Sequence, residues 1–271
     1  MSWYTLTFGA AAQPSIAGLF AKRPKQNETP SAMASKDLDI DQLAIYLHTT
    51  PQKVRKLIDR GKIPARKIGG QWKISEAEVH NWLEDQLGVS DVDDLPQMQK
   101  IVNKWSDEKK EDISLDRLLP VDAIEVPLSA RTRSSVIRRI IGLAEATGML
   151  WDAPKMVEAV MAREDLHPTA LDNGVALLHP RRPQASILAE PMLALGVSLQ
   201  PLPFGNKSGN LTDVFFLICS TDDRVHLQVL TKISRLLSGT DFLKDLRECT
   251  SAGEAHAVLC RHEEIMDHPP E

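Results

Sequence analysis

Three side chains in this 271-residue chain are of the types that would suit a phosphoryl group: Arg163, His179 and His226. His179 ends the stretch Asp172-Asn-Gly-Val-Ala-Leu-Leu-His179-Pro180 and opens a loop carrying Arg181, Arg182 and Pro183. The apolar run Val175 to Leu178 has the length and composition of a buried strand. An imidazole held at the edge of a rigid sheet is a common design for functional histidines. Arg163 stands sixteen residues earlier, at the end of an expected helix, and His226 lies in the first turns of a later one. A neutral imidazole attacks phosphorus, arginine offsets charge on the equatorial oxygens, and a second histidine donates a hydrogen bond. A helix start also attracts anions through its free N–H groups. Each residue alone has a plainer reading. His179 is then a histidine in a turn, Arg163 a cap on its helix C-terminus, and His226 a solvated helix residue.

The elements that must position these residues are legible as patterns. Asn173-Gly174 is turn chemistry ahead of the strand, because both residues tolerate positive φ. Thr132 to Ala146 reads as an amphipathic helix through Val136, Ile137, Ile140, Ile141 and Ala144, closed by Gly148. Asp152 caps the next helix, which has Pro154 in its first turn and Val157, Val160 and Met161 inside. Apolar segments follow at Ala185–Leu188 and Leu193–Leu199. Val214-Phe-Phe-Leu-Ile-Cys219 is continuously apolar, as a strand covered on both faces should be. A long helix with Val225, Val229, Leu230, Ile233 and Leu237 inward comes next, then two shorter ones near Asp241–Glu248 and Gly253–Arg261. This alternation predicts an α/β layered domain over 113–265, with 266–271 as a tail.

Composition bounds the rest. The length predicts roughly two domains, and 42% hydrophobic residues suffice for real cores. A net charge of -5 excludes a wholly basic, nucleic-acid-coating protein but not a local basic patch. Cys219, Cys249 and Cys260 are odd in number and lack close metal-type spacing, which fits a reduced cytoplasmic chain. No apolar run approaches the ~18 residues of a membrane span. Residues 1–36, broken by Pro14, Pro24 and Pro30, read as a disordered tail, with Trp3, Tyr4, Leu6 and Phe8 alternating as a short strand would. Residues 88–112 read as an acidic linker around a connecting helix through Met98, Ile101, Val102 and Trp105.

Residues 37–87 carry a separate pattern. Asp39 caps a helix with apolar face Ile40, Leu43, Ala44 and Leu47. Thr50-Pro51 starts a second helix that buries Val54, Leu57 and Ile58 and stops at Gly61. The three or four residues between them are helix-turn-helix spacing. Gly69-Gly70 between two alternating segments predicts a two-residue hairpin. Ser75 and Glu78 form a capping box for a third helix carrying Val79, Trp82 and Leu83. Between Lys53 and Lys73 stand eight cations (Lys53, Arg55, Lys56, Arg60, Lys62, Arg66, Lys67 and Lys73) against Asp59 alone, a local charge of +7. A one-sign cluster this dense is a nucleic-acid footprint. The second helix would enter the major groove and the hairpin would lie against phosphates as a wing.

Two resemblances enter here. Leu38-Asp-Ile-Asp-Gln-Leu-Ala-Ile-Tyr-Leu, Thr50 to Pro64, and Lys67-Ile-Gly-Gly-Gln-Trp-Lys-Ile74 resemble the excisionase-type, MerR-like winged helix-turn-helix family. That resemblance implies double-stranded DNA as partner. Gln52, Lys53 and Arg55 are then base-reading candidates, and Gln71, Trp72 and Lys73 sit on the wing. Lys56, Arg66 and Lys67 complete the expected DNA-binding set. Trp72 has a second reading, as a core plug of the small domain. Ala162-Arg-Glu-Asp-Leu166, Leu171 to His179, and Thr212 to Cys219 leading into His226-Leu-Gln-Val-Leu230 resemble the type-2 enzyme IIA family of the bacterial phosphotransferase system. Its branches serve fructose, mannitol and nitrogen regulation. The resemblance implies a mixed sheet flanked by helices. It also implies that His179 accepts phosphate from a phosphohistidine carrier protein, with Arg163 and His226 in support.

The chain departs from that family beside the histidine, where Leu178 and Pro180 replace the usual Pro and Gly. Proline fixes φ and removes one N–H that a phosphate would use. The expectation is a phosphotransferase-linked regulator whose phosphorylation state modulates DNA binding. It needs no cofactor and no metal, performs no sugar transport of its own, and forms a homodimer if it follows its DNA-binding relatives. The alternative is a DNA-binding protein whose enzyme IIA-like domain serves only partner contact or dimerisation. A third reading, a metal enzyme using His167, His179 and His226, lacks the short His spacings of helical metal sites.

Overall fold

The structure, a computed structural model, describes residues 37–47, 49–75, 78–79, 82–83, 113–206, 208–239 and 241–268. The expected tail 1–36, the linker 88–112 with its helix, and residues 269–271 lie outside the described residues.

The N-terminal unit begins with β1 (Asp37–Leu38), α1 (Ile40–Tyr46), α2 (Pro51–Asp59), β2 (Arg66–Ile68) and β3 (Gln71–Ser75). Asp39 and Gln42 form a reciprocal capping box at α1. Thr50 caps α2 through its hydroxyl, with Pro51 at the first helical position. At the other end Gly61 N donates to Ile58 O and Lys62 N to Leu57 O, the paired bonds of a Schellman stop. β2 and β3 form an antiparallel hairpin through Gly69 and Gly70, at φ 58° and 83°. Two consecutive positive φ values define the primed turn that matches strand twist. β1 pairs with the other edge of β3, giving the order β1-β3-β2. Leu43, Ala44, Leu47, Val54, Ile58, Val79 and Leu83 are buried, as the helical spacing predicts, Ile40 and Leu57 are half-buried against them, and Ile74 of β3 joins the same core. Ser75 is the last residue of β3, paired with Asp37, and residues 76 and 77 of the expected capping box lie outside the described residues.

The C-terminal unit runs α3 (Leu115–Leu118), β4 (Ile124–Glu125), α4 (Arg133–Ala146), α5 (Ala153–Leu166), β5 (Val175–Leu178), β6 (Met192–Pro203), β7 (Leu211–Cys219), α6 (Asp223–Ser238), α7 (Phe242–Glu248) and α8 (Ala252–Asp267). Its sheet has the order β4-β6-β7-β5, with β4 parallel to β6, β6 antiparallel to β7 and β5 parallel to β7. Alternate side chains of β7 enter two cores. Val214, Phe216 and Ile218 join Leu227, Leu230 and Ile233 of α6, while Phe215, Leu217 and Cys219 join Ile137 and Ile140 of α4 and Met156 and Val160 of α5. Helices therefore cover both faces, and the continuous apolar run of β7 is the consequence. Thr132, Asp152 and Asp222 cap α4, α5 and α6. The apolar segment at Ala185–Leu188 holds a single 3-10 turn over Ala185–Ile187. One detail differs from expectation: the last helix continues past Arg261 to Asp267.

Candidate functional site

β5 and β7 lie side by side, and β5 ends at Leu178, level with Leu217 and two residues before β7 ends at Cys219. Loops leaving the carboxyl ends of parallel strands are where α/β folds build sites. β5 is buried along its whole length, Val175 and Leu177 facing the α6 core and Ala176 and Leu178 the α4–α5 core. Continuing that alternation turns His179, the next odd position, toward α6. His226 is the fourth residue of α6. The two imidazoles meet with ring centroids 4.9 Å apart, tilted by 51°. Both are buried, at 3% and 4% relative exposure, so this is no pair of solvated histidines.

Hydrogen bonding orients each ring. His179 Nδ1 lies 2.8 Å from Leu177 O. A carbonyl only accepts, so Nδ1 carries the proton and the neutral ring keeps its lone pair on Nε2. His226 Nδ1 lies 3.4 Å from Ser220 Oγ, and Ser220 is itself buried. Ser220 O accepts from Gln184 N at 3.1 Å, tying the loop after His179 to the loop before α6. The α6 terminus is already occupied in part. Asp222 accepts from Val225 N at 2.9 Å, so its carboxylate takes one of the N–H groups expected to attract an anion.

Arg163 is on α5, and its Nη1 donates to His167 O at 2.7 Å, closing the last turn of the helix. The chain then returns antiparallel along the outer edge of β5. Leu171 N donates to Val175 O at 2.7 Å, and Ala170 bridges Ala176. Pro180 is buried, and Arg181 and Arg182 are exposed.

Two residues at the site escaped sequence reasoning. Ser220 carries no motif. Glu164 does carry a signal: with Met156 and Val160 it repeats every fourth residue on the buried stripe of α5. It is 1% exposed and accepts from Thr169 N at 3.1 Å and from Thr169 Oγ1. Arg133 Nη2 lies 3.7 Å away. Burial pushes the Glu164 carboxyl above its usual range, against the pull of Thr169 and Arg133.

In the N-terminal unit, Gln52, Lys53, Arg55 and Lys56 are exposed on α2, and Arg66, Lys67 and Gln71 are exposed on the hairpin. Lys73 is half-buried. Arg66 lies 3.9 Å from both Asp37 and Glu78. Trp72 is half-buried against the small core, and Lys67 Nζ sits 5.8 Å from its ring centre. The core-plug reading and the wing reading of Trp72 thus each describe one side of it. Among the described residues no three His, Cys, Asp or Glu side chains are grouped to hold a metal ion, and no helix is long and apolar enough to cross a membrane.

Comparison with known proteins extends these observations. Residues 117–261, just over half of the chain, match the family described as "Phosphoenolpyruvate-dependent sugar phosphotransferase system, EIIA 2". Residues 38–87 match a helix-turn-helix domain family. A nitrogen regulatory protein of Bradyrhizobium diazoefficiens is 29% identical over 146 residues, 52% of this chain and 92% of that protein. The PTS system fructose-specific EIIABC component of Bacillus subtilis is 24% identical over 153 residues. That match covers 56% of this chain but only 24% of the relative, so the chain spans about a quarter of its length. Among solved structures, nitrogen regulatory protein IIA-Ntr from Neisseria meningitidis is 24% identical, covers 53% of this chain and 97% of its own, and has a TM-score of 0.48.

Proposed function

The chain belongs to the EIIA type-2 family of the phosphoenolpyruvate-dependent sugar phosphotransferase system, and we propose that His179 accepts a phosphoryl group whose presence alters DNA binding by residues 37–87. The observation that carries this reading is the buried His179–His226 pair, with the His179 ring oriented by Leu177 O so that Nε2 holds the lone pair. The donor is a phosphohistidine carrier protein. Its P–N bond breaks with the electron pair returning to the carrier's imidazole, while the His179 lone pair forms the new Nε2–P bond. His179 Nδ1–H stays on Leu177 O and delocalises the positive charge of the ring. His226, 4.9 Å away, donates a hydrogen bond to the transferring group, and Arg163 offsets charge on its oxygens.

Phosphorylation adds roughly -1.5 to -2 of charge to the C-terminal unit. The N-terminal cluster carries +7 and binds double-stranded DNA in this reading, through Gln52, Lys53, Arg55 and Lys56 of α2 and Arg66, Lys67, Gln71 and Lys73 of the wing. The new charge competes with phosphates for that face, and the match to a helix-turn-helix family supports the DNA partner. A cytoplasmic setting belongs to the reading, since Cys219, Cys249 and Cys260 are all free thiols. Regulation, not sugar transport, is the outcome.

Incubation with a phosphohistidine carrier protein and phosphoenolpyruvate-charged donor enzyme tests it. Acid-labile phosphate is expected on the full chain and absent from His179→Ala. Absence of label on the unaltered chain, or its retention after His179→Ala, overturns the proposal. One observation favours the second reading, in which this unit only binds partners: buried Pro180 follows His179 and offers no N–H to a phosphoryl oxygen. In that case His179→Ala leaves DNA affinity unchanged with and without the donor system.

A further inference from the structure

A carboxylate inside an apolar core is costly unless bonds repay its lost hydration, and an apolar residue of similar shape is often the more stable choice. Glu164 is such a group, and its bonds run in one direction. Its side chain accepts from Thr169 N at 3.1 Å and from Thr169 Oγ1, with Arg133 Nη2 at 3.7 Å. Thr169 O accepts from Leu177 N at 3.4 Å. Leu177 O accepts from His179 Nδ1 at 2.8 Å. Three links therefore join the carboxylate to the imidazole. The middle one is weak: 3.4 Å is a long backbone bond, and the bridge of Ala170 to Ala176 rests on it and on the 2.7 Å bond from Leu171 N to Val175 O. Leu177 is held on its other side by β7, opposite Phe216. What fixes its carbonyl from the outer edge is the Thr169 segment, and what fixes Thr169 is Glu164.

We infer that Glu164 is a positioning residue for His179: through Thr169 and Leu177 it holds the imidazole in the Nδ1–H tautomer that keeps the Nε2 lone pair available. The inference rests on the reading of His179 as phosphoryl acceptor, but its direct readout does not need phosphate. At metal-bound histidines the group bonded to the far nitrogen fixes the tautomer and its loss typically costs about 10–100-fold in affinity or activity, and the same tautomer argument applies to a histidine that must present one nitrogen to phosphorus. The device here sits one step further back, so the smaller end of that range, about tenfold, is expected for phosphoryl transfer to His179.

The test uses the full chain with 15N-labelled histidine and long-range proton–nitrogen spectra, the His179 signals being those lost in His179→Gln. The unaltered chain is expected to show a single Nδ1–H tautomer. Glu164→Leu keeps the shape and removes the acceptor, and it is expected to give mixed tautomers at His179 and about tenfold slower labelling. Glu164→Gln keeps an Oε1 that accepts from both Thr169 N and Thr169 Oγ1 and is expected to restore both. A tautomer unchanged in Glu164→Leu, or a Glu164→Gln as impaired as Glu164→Leu, overturns the inference. If Glu164→Leu does not fold, Thr169→Val decides, since it removes the hydroxyl and leaves the backbone; an unchanged tautomer there overturns it equally. The two proposals fail separately. A chain whose tautomer responds as expected but never takes up label refutes the phosphoryl-acceptor reading and leaves the positioning chain standing.

Discussion

The turn that launches β5 lends itself to a quantitative test, Gly174→Ala. Gly174 has φ 86°, and its N–H closes the turn on Leu171 O at 3.3 Å. Its carbonyl accepts from both Asp213 N and Val214 N, which fixes where β5 starts against β7. Arg247 braces the same point, with Nε and Nη2 each 2.8 Å from Asp213 and Nη2 2.7 Å from Asn173 O. A Cβ on residue 174 would lie 2.7 Å from Arg247 Nη2 and 3.0 Å from Asp213 Oδ1. Left-handed backbone costs an L-residue about 1–2 kcal/mol. The stiffer unfolded chain of alanine returns about 0.4–1 kcal/mol. Displacing the half-exposed Arg247–Asp213 pair adds about 1 kcal/mol after discounting for solvent screening. The net loss is about 2 kcal/mol, or about 4–8 °C in Tm for a unit of this size. Thermal unfolding by circular dichroism measures it. In an Arg247→Ala background the closest clash partner is gone and Asp213 is free to move, so the Gly174→Ala penalty should shrink toward the backbone strain, a non-additivity that a double-mutant cycle reads directly. A Tm change under 1 °C, or strict additivity, refutes the account of this turn.

Three further predictions follow from the same geometry. The Asp245 carboxyl is held below its usual range by the hydrogen bond from His262 and by Arg261, so its contribution is present above the ordinary value of 3.8 and lost as pH falls through the lowered one; the Tm gap between the unaltered chain and Asp245→Asn should therefore be open at pH 7 and close below pH 3.8. The Cys219 thiol is pushed up to about 12 by burial; the Cys260 thiol is also raised, by burial and by Asp116 and Glu263, but is only half-buried, so a thiol reagent at pH 8 should label Cys260 slowly in the folded chain and reach Cys219 only on unfolding. On duplex DNA, Lys56→Ala should lower the slope of log affinity against log salt by about 0.9. Arg66→Ala should lower it less, because Arg66 already lies 3.9 Å from Asp37 and Glu78.

Much of this molecule is legible one element at a time. Caps at Asp39, Thr50 and Asp152 and the stripe Val136 to Ala144 depend on neighbours within a few residues, so their spacing in the chain already carries the physics. The Gly69-Gly70 hairpin is the same kind of feature, because its register follows from the turn itself. The two-faced burial of β7 is visible as an unbroken apolar run. His179 and His226 could be singled out from their places at a strand end and a helix start.

Their meeting could not. The two residues are 47 positions apart in the chain, and only the parallel pairing of β5 with β7, ending at one edge, brings the loop after one beside the helix after the other. The tautomer of His179 is likewise a tertiary matter, set by a backbone carbonyl that every residue possesses and no motif announces. Glu164 shows the limit most plainly. As a letter it is an acid beside an arginine near a helix end, where acids are ordinarily solvated. Its burial and its bonds to Thr169 exist only because α5 packs on α4 and the chain folds back along β5. Short-range periodicity and capping are written into the chain order. Which buried polar groups face one another is decided by packing, because desolvation and hydrogen-bond geometry depend on what arrives from elsewhere in the chain.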